Sequence, residues 1–198
     1  MYRILSVDRY RQGMPCLYDG VGNNLNERGS PRTTPMDLYK NKYRIASARL
    51  KNWDYGSNGA YFITICTHHR IHYFGKIVSQ QMQLTGIGQL AEKYWLEIPN
   101  HFPFVELGNF VIMPNHMHGV LIINKSRDSG GTISSIVGSY KSVVTKNARI
   151  QFDAQFAWQS RFHDHIIRNT MSFDRIQQYI ANNPENWDKD KFKENGAG

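Results

Sequence analysis

The sequence predicts an α+β fold: an antiparallel sheet with helices packed on it, close to the ferredoxin-like plan. Two kinds of segment lead to this prediction: short runs rich in β-branched and aromatic residues, and longer stretches with apolar residues at helical spacing. The order in which they alternate is the third observation: strand, hairpin, helix, two strands, helix, strand and helix. An alternation of this kind is typical of one sheet covered by helices.

The first half of the pattern begins with "AYFITICT" at 60–67, which predicts a buried strand. The segments "RIHYFGKIV" and "QMQLT" then predict a hairpin. A helix is expected within 86–103, where Leu90, Tyr94, Trp95 and Ile98 recur at helical spacing, and Pro99 marks its expected end.

The second half begins with "FVELGNFVIMP" and "HMHGVLIINK", two strands around a short turn at Pro114 and Asn115. The stretch 132–150 has one apolar stripe and predicts an amphipathic helix with Thr132 as its N-cap. A further strand is expected over 158–169. The last helix is expected to start from Ser172 as N-cap and to end before Pro184.

The chain divides into four predicted parts. Residues 1–35 are polar, rich in Gly, Pro and Asn, and without a period, so we expect a disordered extension. Residues 36–59 form a basic lead-in, 60–190 the main domain and 191–198 a tail.

Composition narrows the function classes. Of the 198 residues, 24 are Lys or Arg and 16 are Asp or Glu, which gives a net charge of +8. Such a charge favours a polyanionic partner, either nucleic acid or an anionic membrane surface. No stretch approaches the roughly 18 apolar residues of a membrane span, and no apolar signal core opens the chain, so the expected location is the cytoplasm. Cys16 and Cys66 give no disulfide framework.

The stretch "NHMHGVLII" places two imidazoles, His116 and His118, at the mouth of an apolar strand. Residues i and i+2 of a strand point to the same face, so the pair supplies half of a metal site. The other interpretation is a pair of partly exposed histidines with no metal. A second His-x-His, "HDH" at 163–165, favours that interpretation, because eight histidines sometimes fall this way by chance.

The stretch "QQYIANNP" holds Tyr179 and, one helical turn later, Asn183. Beside a metal-bound phosphate, a tyrosine hydroxyl can attack phosphorus, and an amide oxygen one turn away can be a third metal ligand. The alternative is that Tyr179 packs on the core and Asn183 caps the helix before Pro184.

Cations and aromatic residues alternate along three segments, a pattern that suits phosphates and unstacked bases. The candidate DNA-binding cations are Arg44, Arg49, Lys51, Lys141, Lys146, Arg149, Arg161 and Arg168. Taken singly, each of them is better explained as part of a solvated surface.

The motifs "NHMHG", "SYKSVVTK", "WQSRFHDHIIRN" and "YIANNP", in this order, resemble the single-tyrosine HUH transposases. Within that family the chain is most similar to the REP-associated tyrosine transposases. The resemblance spans roughly residues 42–190. It implies the HUH endonuclease form of the ferredoxin-like fold and a metal-dependent endonuclease and strand transferase that acts on single-stranded or hairpin DNA, with no membrane partner.

The resemblance also implies residue roles. His116 and His118 would hold a divalent cation, Mg²⁺ or Mn²⁺, with Asn183 as a further ligand. Tyr179 would form a 5′-phosphotyrosine link without any nucleotide cofactor, in agreement with the absence of a GxxxxGK[ST] loop. Asp164 and His165 fall inside the matching motif and are candidates to orient the ligands. Such a protein would act on the bacterial nucleoid, and the sequence leaves monomer and homodimer open.

Two other functions are consistent with the sequence. One is a non-catalytic hairpin-binding protein on the same fold. The other is a structural zinc protein using the histidines at 116, 118, 163 and 165, although structural sites built from four histidines are uncommon.

Overall fold

A computed structural model describes residues 58–125 and 130–193, all within one compact unit that spans residues 51–198. The predicted extension 1–35 and the lead-in as far as residue 57 lie outside the described residues, as does the end of the tail. The strands are β1 (Gly59–Cys66), β2 (Gly75–Val78), β3 (Gln81–Leu84), β4 (Val105–Met113), β5 (His116–Ile123) and β6 (His163–Ile167). The helices are α1 (Gly86–Leu96), α2 (Ile98–His101), α3 (Ile133–Gln151) and α4 (Thr170–Ala181).

Four strands form the main sheet in the order β4-β5-β1-β6, with every neighbouring pair antiparallel. Apart from the β2-β3 hairpin and the short helix α2, the described chain as far as β6 runs β1, α1, β4, β5, α3 and β6. This is the βαββαβ plan of a ferredoxin-like fold, so the predicted fold class is confirmed. The predicted hairpin is confirmed as a separate two-stranded sheet.

The central strands β1 and β5 are apolar because both of their faces are covered. On one face, the Tyr140 hydroxyl of α3 lies 3.0 Å from the Ala91 carbonyl of α1 and 3.1 Å from Met117 Sδ of β5. On the other face α4 packs over β4 and β5, where Gln177 Oε1 accepts a hydrogen bond from the Asn109 amide at 2.8 Å. The sheet therefore lies between α1 and α3 on one side and α4 on the other.

Three predicted boundaries differ from the structure. The helix expected to end at Pro99 ends at Leu96, and Pro99 lies in the first turn of α2, where a missing N–H costs nothing. The strand expected over 158–169 is formed only over His163–Ile167, and Trp158 makes an isolated β-bridge with Thr67. Helix α4 starts from Asn169, whose side chain accepts from the Ser172 amide, so the predicted Ser172 N-cap is wrong.

The Thr132 N-cap is confirmed, and its side chain forms a reciprocal capping box with Ser135. Among the described residues, no helix combines the length and the apolar character needed to cross a membrane.

Candidate metal and nucleophile site

The histidine pair opens β5 and is almost completely buried, with 0% of His116 and 2% of His118 exposed. The interpretation as two partly exposed histidines is therefore wrong. In the antiparallel register, His116 lies opposite Cys66 and His118 opposite Thr64, so the four side chains share one face of the sheet. The two imidazole rings meet edge to face with their centroids 4.7 Å apart.

Packing on the opposite face of the sheet holds β5, the strand that carries the histidine pair, in place. Met117, between the two histidines, is fully buried against Tyr140. Gly119 lets the Trp95 ring lie directly on the backbone, because a Cβ at this position would come within 2.4 Å of Trp95 Cζ2. The glycine of "NHMHG" thus allows the close packing that holds the two imidazoles in place.

The neighbouring Asn115 determines which nitrogen of His116 is free. The Asn115 side-chain amide donates to the Phe192 carbonyl at 2.7 Å, so its oxygen faces His116 and lies 2.9 Å from Nδ1. His116 Nδ1 therefore carries the proton, and Nε2 keeps its lone pair. Nε2 is buried without a hydrogen-bond partner among the described residues, and the nearest carboxylate oxygen, on Asp190, is 3.6 Å away.

His118 is oriented in a comparable way by β1. Its Nδ1 lies 2.8 Å from the Thr64 hydroxyl, and its ring stacks on Phe62 with centroids 5.1 Å apart. The other ring nitrogen, Nε2, lies 3.3 Å from the Tyr179 hydroxyl. Two buried imidazoles thus present their Nε2 atoms toward the same side of the site.

Helix α4 and the segment after it supply the oxygen atoms of the site. Tyr179 is 45% exposed, whereas Asn183 is only 3% exposed and its side-chain oxygen has no hydrogen-bond partner among the described residues. The Asp190 carboxylate completes the group: one ligand atom each from His116, His118 and Asp190 lie within 4.8 Å of one another.

Burial and neighbouring charges set the protonation states. Burial lowers the pKa of His116 well below its usual value and that of His118 to about 3, so both imidazoles are neutral at pH 7. Burial also raises the pKa of Tyr179, and a hydrogen bond from Asn183 opposes this rise. The pKa of Asp190 is raised, chiefly by burial. Neutral imidazole is the form that binds a metal ion.

These residues fit a divalent cation. The Nε2 atoms of the two imidazoles, an unpartnered amide oxygen and a carboxylate form a mixed nitrogen and oxygen donor set, which suits Mn²⁺ and related divalent metals. A buried lone pair without a partner is costly, and a bound cation would remove that cost at both His116 Nε2 and Asn183 Oδ1.

Asp164 and His165 lie on opposite faces of β6. His165 pairs with Phe62 and shares the face of the histidine pair, but it is exposed. Asp164 pairs with Ile63 and points to the opposite face, because successive strand residues alternate. The structure does not bring Asp164 to the site, and the cluster of ligand atoms contains Asp190 instead of the histidines at 163 and 165.

The predicted DNA-binding cations are spread over several surfaces. Lys141 donates to the Gln159 and Ser160 carbonyls, and Arg149 donates to the Phe156 carbonyl. The other three described candidates are exposed: Lys146, Arg161 and Arg168. Arg44, Arg49 and Lys51 lie outside the described residues.

Sequence reasoning missed Thr64, Asn115 and Asp190. Asn115 had a signal, since it directly precedes the histidine motif. Thr64 is the polar residue in an otherwise apolar strand interior, where a buried hydroxyl needs a partner. Asp190 had no such signal, because the tertiary fold alone brings it to the histidines.

Comparison with known proteins gives the family. Residues 56–183 match the family model described as "Transposase IS200 like". An uncharacterized protein of Haemophilus influenzae is 39% identical over 164 residues, which cover 74% of this chain and 91% of the relative. The structure of a REP-associated tyrosine transposase bound to a REP hairpin has the same fold, with a TM-score of 0.53 and 23% identity over 69% of this chain and 73% of the other. The resemblance to single-tyrosine transposases is thereby confirmed, and the chain belongs to the IS200-like transposase family.

Proposed function

We propose that this transposase nicks and rejoins single-stranded, hairpin-bearing DNA through a covalent link to Tyr179. The observation that carries the proposal is the position of the Tyr179 hydroxyl, 3.3 Å from Nε2 of the buried, neutral His118. A nucleophile beside a prospective metal ligand is the arrangement that attack on a phosphodiester requires.

His116, His118 and Asn183 would hold the divalent cation, with Asp190 as a further oxygen ligand. When bound, the cation would stabilise negative charge on the phosphate and favour the phenolate of the nucleophile. Mg²⁺ and Mn²⁺ are the ions we propose, because amide and carboxylate oxygens add to the two imidazoles.

In the nicking step, the Tyr179 oxygen forms a bond to phosphorus and the bond to the 3′ oxygen breaks. The phenol loses its proton, the 3′ oxygen gains one, and the products are a 5′-phosphotyrosine and a free 3′-hydroxyl. Attack by a 3′-hydroxyl on the phosphotyrosine reverses these changes and joins the strands. One phosphodiester is exchanged for another, so no nucleotide cofactor is needed.

Two observations support hairpin DNA as the partner. The chain carries a net charge of +8, and the REP-associated transposase that shares its fold binds a REP hairpin. We propose the same class of substrate here, and with it a location on the bacterial nucleoid.

The test is covalent capture of DNA by the full chain. Wild type is incubated with Mn²⁺ and a library of single-stranded hairpins with randomised flanks, and protein-linked DNA is detected on denaturing gels. Tyr179→Phe removes one oxygen and keeps the ring, so adducts should disappear while hairpin binding stays within about twofold. Tyr94→Phe, a matched change on α1, should leave adduct formation unchanged. Adducts that persist in Tyr179→Phe would refute Tyr179 as the nucleophile.

A second candidate function is hairpin binding without catalysis. The observation in its favour is that the Phe192 ring packs against both imidazoles, which are the proposed metal ligands. Its centroid lies 4.6 Å from that of His116 and 5.9 Å from that of His118. The same experiment separates the two functions, because a pure binding protein retains hairpins and forms no adduct with any metal ion.

A further inference from the structure

A pocket of about 560 Å³ opens at the end of β1, beside the histidine pair. Its two walls are the turn His68–Arg70 and the segment 157–160, whose last three residues begin the "WQSRFHDHIIRN" motif. Neither wall takes part in the nicking step described above. A pocket of this size fits one or two nucleotides.

The first wall is held to the metal site through the backbone. The Thr67 amide donates to the Asn115 carbonyl at 2.9 Å, directly before His116. His69 and Arg70 then adopt left-handed backbone angles, with φ of 51° and 58°. Such angles are costly for residues other than glycine and occur preferentially at functional sites.

Hydrogen bonds to β1 and to α3 hold the second wall, segment 157–160, in place. The Gln159 amide donates to the Cys66 carbonyl at 2.8 Å, and Lys141 Nζ donates to the Gln159 carbonyl at 2.6 Å. Trp158 anchors the segment by donating from its indole to the Lys141 carbonyl at 3.2 Å. Gln159 takes part in these bonds only through its backbone amide and carbonyl, so its exposed side chain and that of Ser160 can bind a ligand.

The chemistry of the pocket matches a nucleotide. The exposed rings of His68 and His69, with centroids 3.8 Å apart, offer π-faces for a base. The amide of Gln159 can donate to and accept from a base edge. Arg70 Nη1 is buried without a hydrogen-bond partner among the described residues, which is costly for a charged group and fits an anion such as phosphate.

Arg70 also links the pocket to the site. Its guanidinium carbon lies 4.2 Å from the centre of the Phe192 ring, and that ring packs on His116. Arg70 and His116 thus both contact the Phe192 ring, so a scissile phosphate at the histidines would bring a neighbouring nucleotide near Arg70.

We propose that this pocket binds an unpaired nucleotide next to the scissile phosphate, with its base against His68, His69 and Gln159 and its phosphate on Arg70. The proposal rests on the proposed function, since it assumes single-stranded DNA at the histidine pair. It assigns base recognition to the pocket and strand cleavage to Tyr179.

The test measures binding, so it does not depend on cleavage. Fluorescent decamers dA10, dC10, dG10 and dT10 and a fully abasic decamer are titrated with the full chain. Wild type should bind at least one base-bearing decamer about fivefold or more tightly than the abasic strand, because each stacked base contributes to affinity. His68→Ala combined with His69→Asn should bring the ratio of the base-bearing to the abasic affinity close to one. Asparagine is chosen because it tolerates the left-handed backbone.

Further variants separate base from phosphate. Gln159→Ala should reduce the preference among the four bases and leave the salt dependence unchanged. Arg70→Lys keeps the charge and should preserve the slope of log affinity against log salt. Arg70→Ala should lower the size of this slope by about 0.7 for all five strands. His101→Ala, an exposed histidine on α2, is the matched control and should behave as wild type.

The proposal is refuted if wild type binds base-bearing and abasic strands equally, or if the histidine double variant keeps the wild-type ratio while its circular dichroism shows an intact fold. Either result leaves the nicking proposal untouched, because protein-linked DNA is detected independently. Conversely, an absence of adducts together with a lost ratio in the histidine variant would refute nicking and support the pocket.

Discussion

Replacing Thr64 by Val tests whether the orientation of His118 controls metal binding. The Thr64 hydroxyl lies 2.8 Å from His118 Nδ1, and both groups are buried. A metal ion on Nε2 requires the proton on Nδ1, so Thr64 must accept a hydrogen bond from the ring. Valine has the shape of threonine but no acceptor, which leaves a buried N–H without a partner.

The size of the effect follows from this single lost bond. Loss of a partner that orients a metal-binding histidine costs about 10–100-fold in metal affinity. An unsatisfied buried donor destabilises the fold by about 1–3 kcal/mol. In a protein of this size each kcal/mol lowers the Tm by about 2–4 °C, so the Tm of Thr64→Val should fall by several degrees.

The assay is calorimetric titration of the full chain with Mn²⁺, together with thermal unfolding. Thr64→Ser keeps the hydroxyl and should bind Mn²⁺ within about threefold of wild type. Thr145→Val removes a hydroxyl that donates to the Lys141 carbonyl on α3 and should not change Mn²⁺ affinity. If folded Thr64→Val binds Mn²⁺ as tightly as wild type, the bond to Thr64 does not orient a metal ligand.

Three further predictions concern the same site. His116→Ala should weaken Mn²⁺ binding more than about 100-fold in calorimetry. It should also lower the Tm, because the side chain is fully buried; unchanged affinity would show that the metal binds elsewhere. Asp190→Asn keeps the shape but removes the charge, and Mn²⁺ affinity should fall about tenfold if the carboxylate is a ligand; equal affinity would exclude it. The charge of Lys191 acts on both histidines, so Lys191→Ala should lower the slope of log affinity against log salt for hairpin binding by about 0.7. Lys146, a DNA-binding candidate from the sequence, lies on α3 across the sheet from the site, so Lys146→Ala should leave that slope unchanged; the reverse result would place the DNA on α3 as the sequence suggested.

Most of the sheet could be predicted because its strands carry a local signal. The apolar runs of β1 and β5 are recognisable since both faces of these strands are buried. The start of α3 could be predicted from Thr132 because capping depends on a few adjacent residues. The start of α4 could not, since Asn169 and Ser172 are both good caps and only the backbone conformation selects between them.

The site could be predicted only where its residues lie on one element. The strand period places His116 and His118 on one face. The spacing of Tyr179 and Asn183 suggests one helical turn, but α4 ends at Ala181 and Asn183 lies just after its C-cap, Asn182. Asp190 comes from a segment after a 3-10 turn, Trp187–Lys189, and reaches His116 through the tertiary fold alone. The sequence motif makes Asp164 a candidate for the site, but neighbouring residues of a strand point to opposite faces. Asp164 therefore points away from the histidine pair.

The alternation of β5 explains how a single strand can support both the core and the chemistry. Met117 and Gly119 face α1 and α3, where close packing fixes the backbone to within the tolerance that a metal site needs. His116 and His118 face the other way, and each has one nitrogen tied to a neighbouring polar side chain and the other directed at the site. A slip of one residue in the pairing with β1 would turn Met117 and Gly119 toward the site and the two histidines toward the core. The register that builds the core therefore also builds the site. Substitutions on the back face should therefore alter metal affinity without touching any ligand.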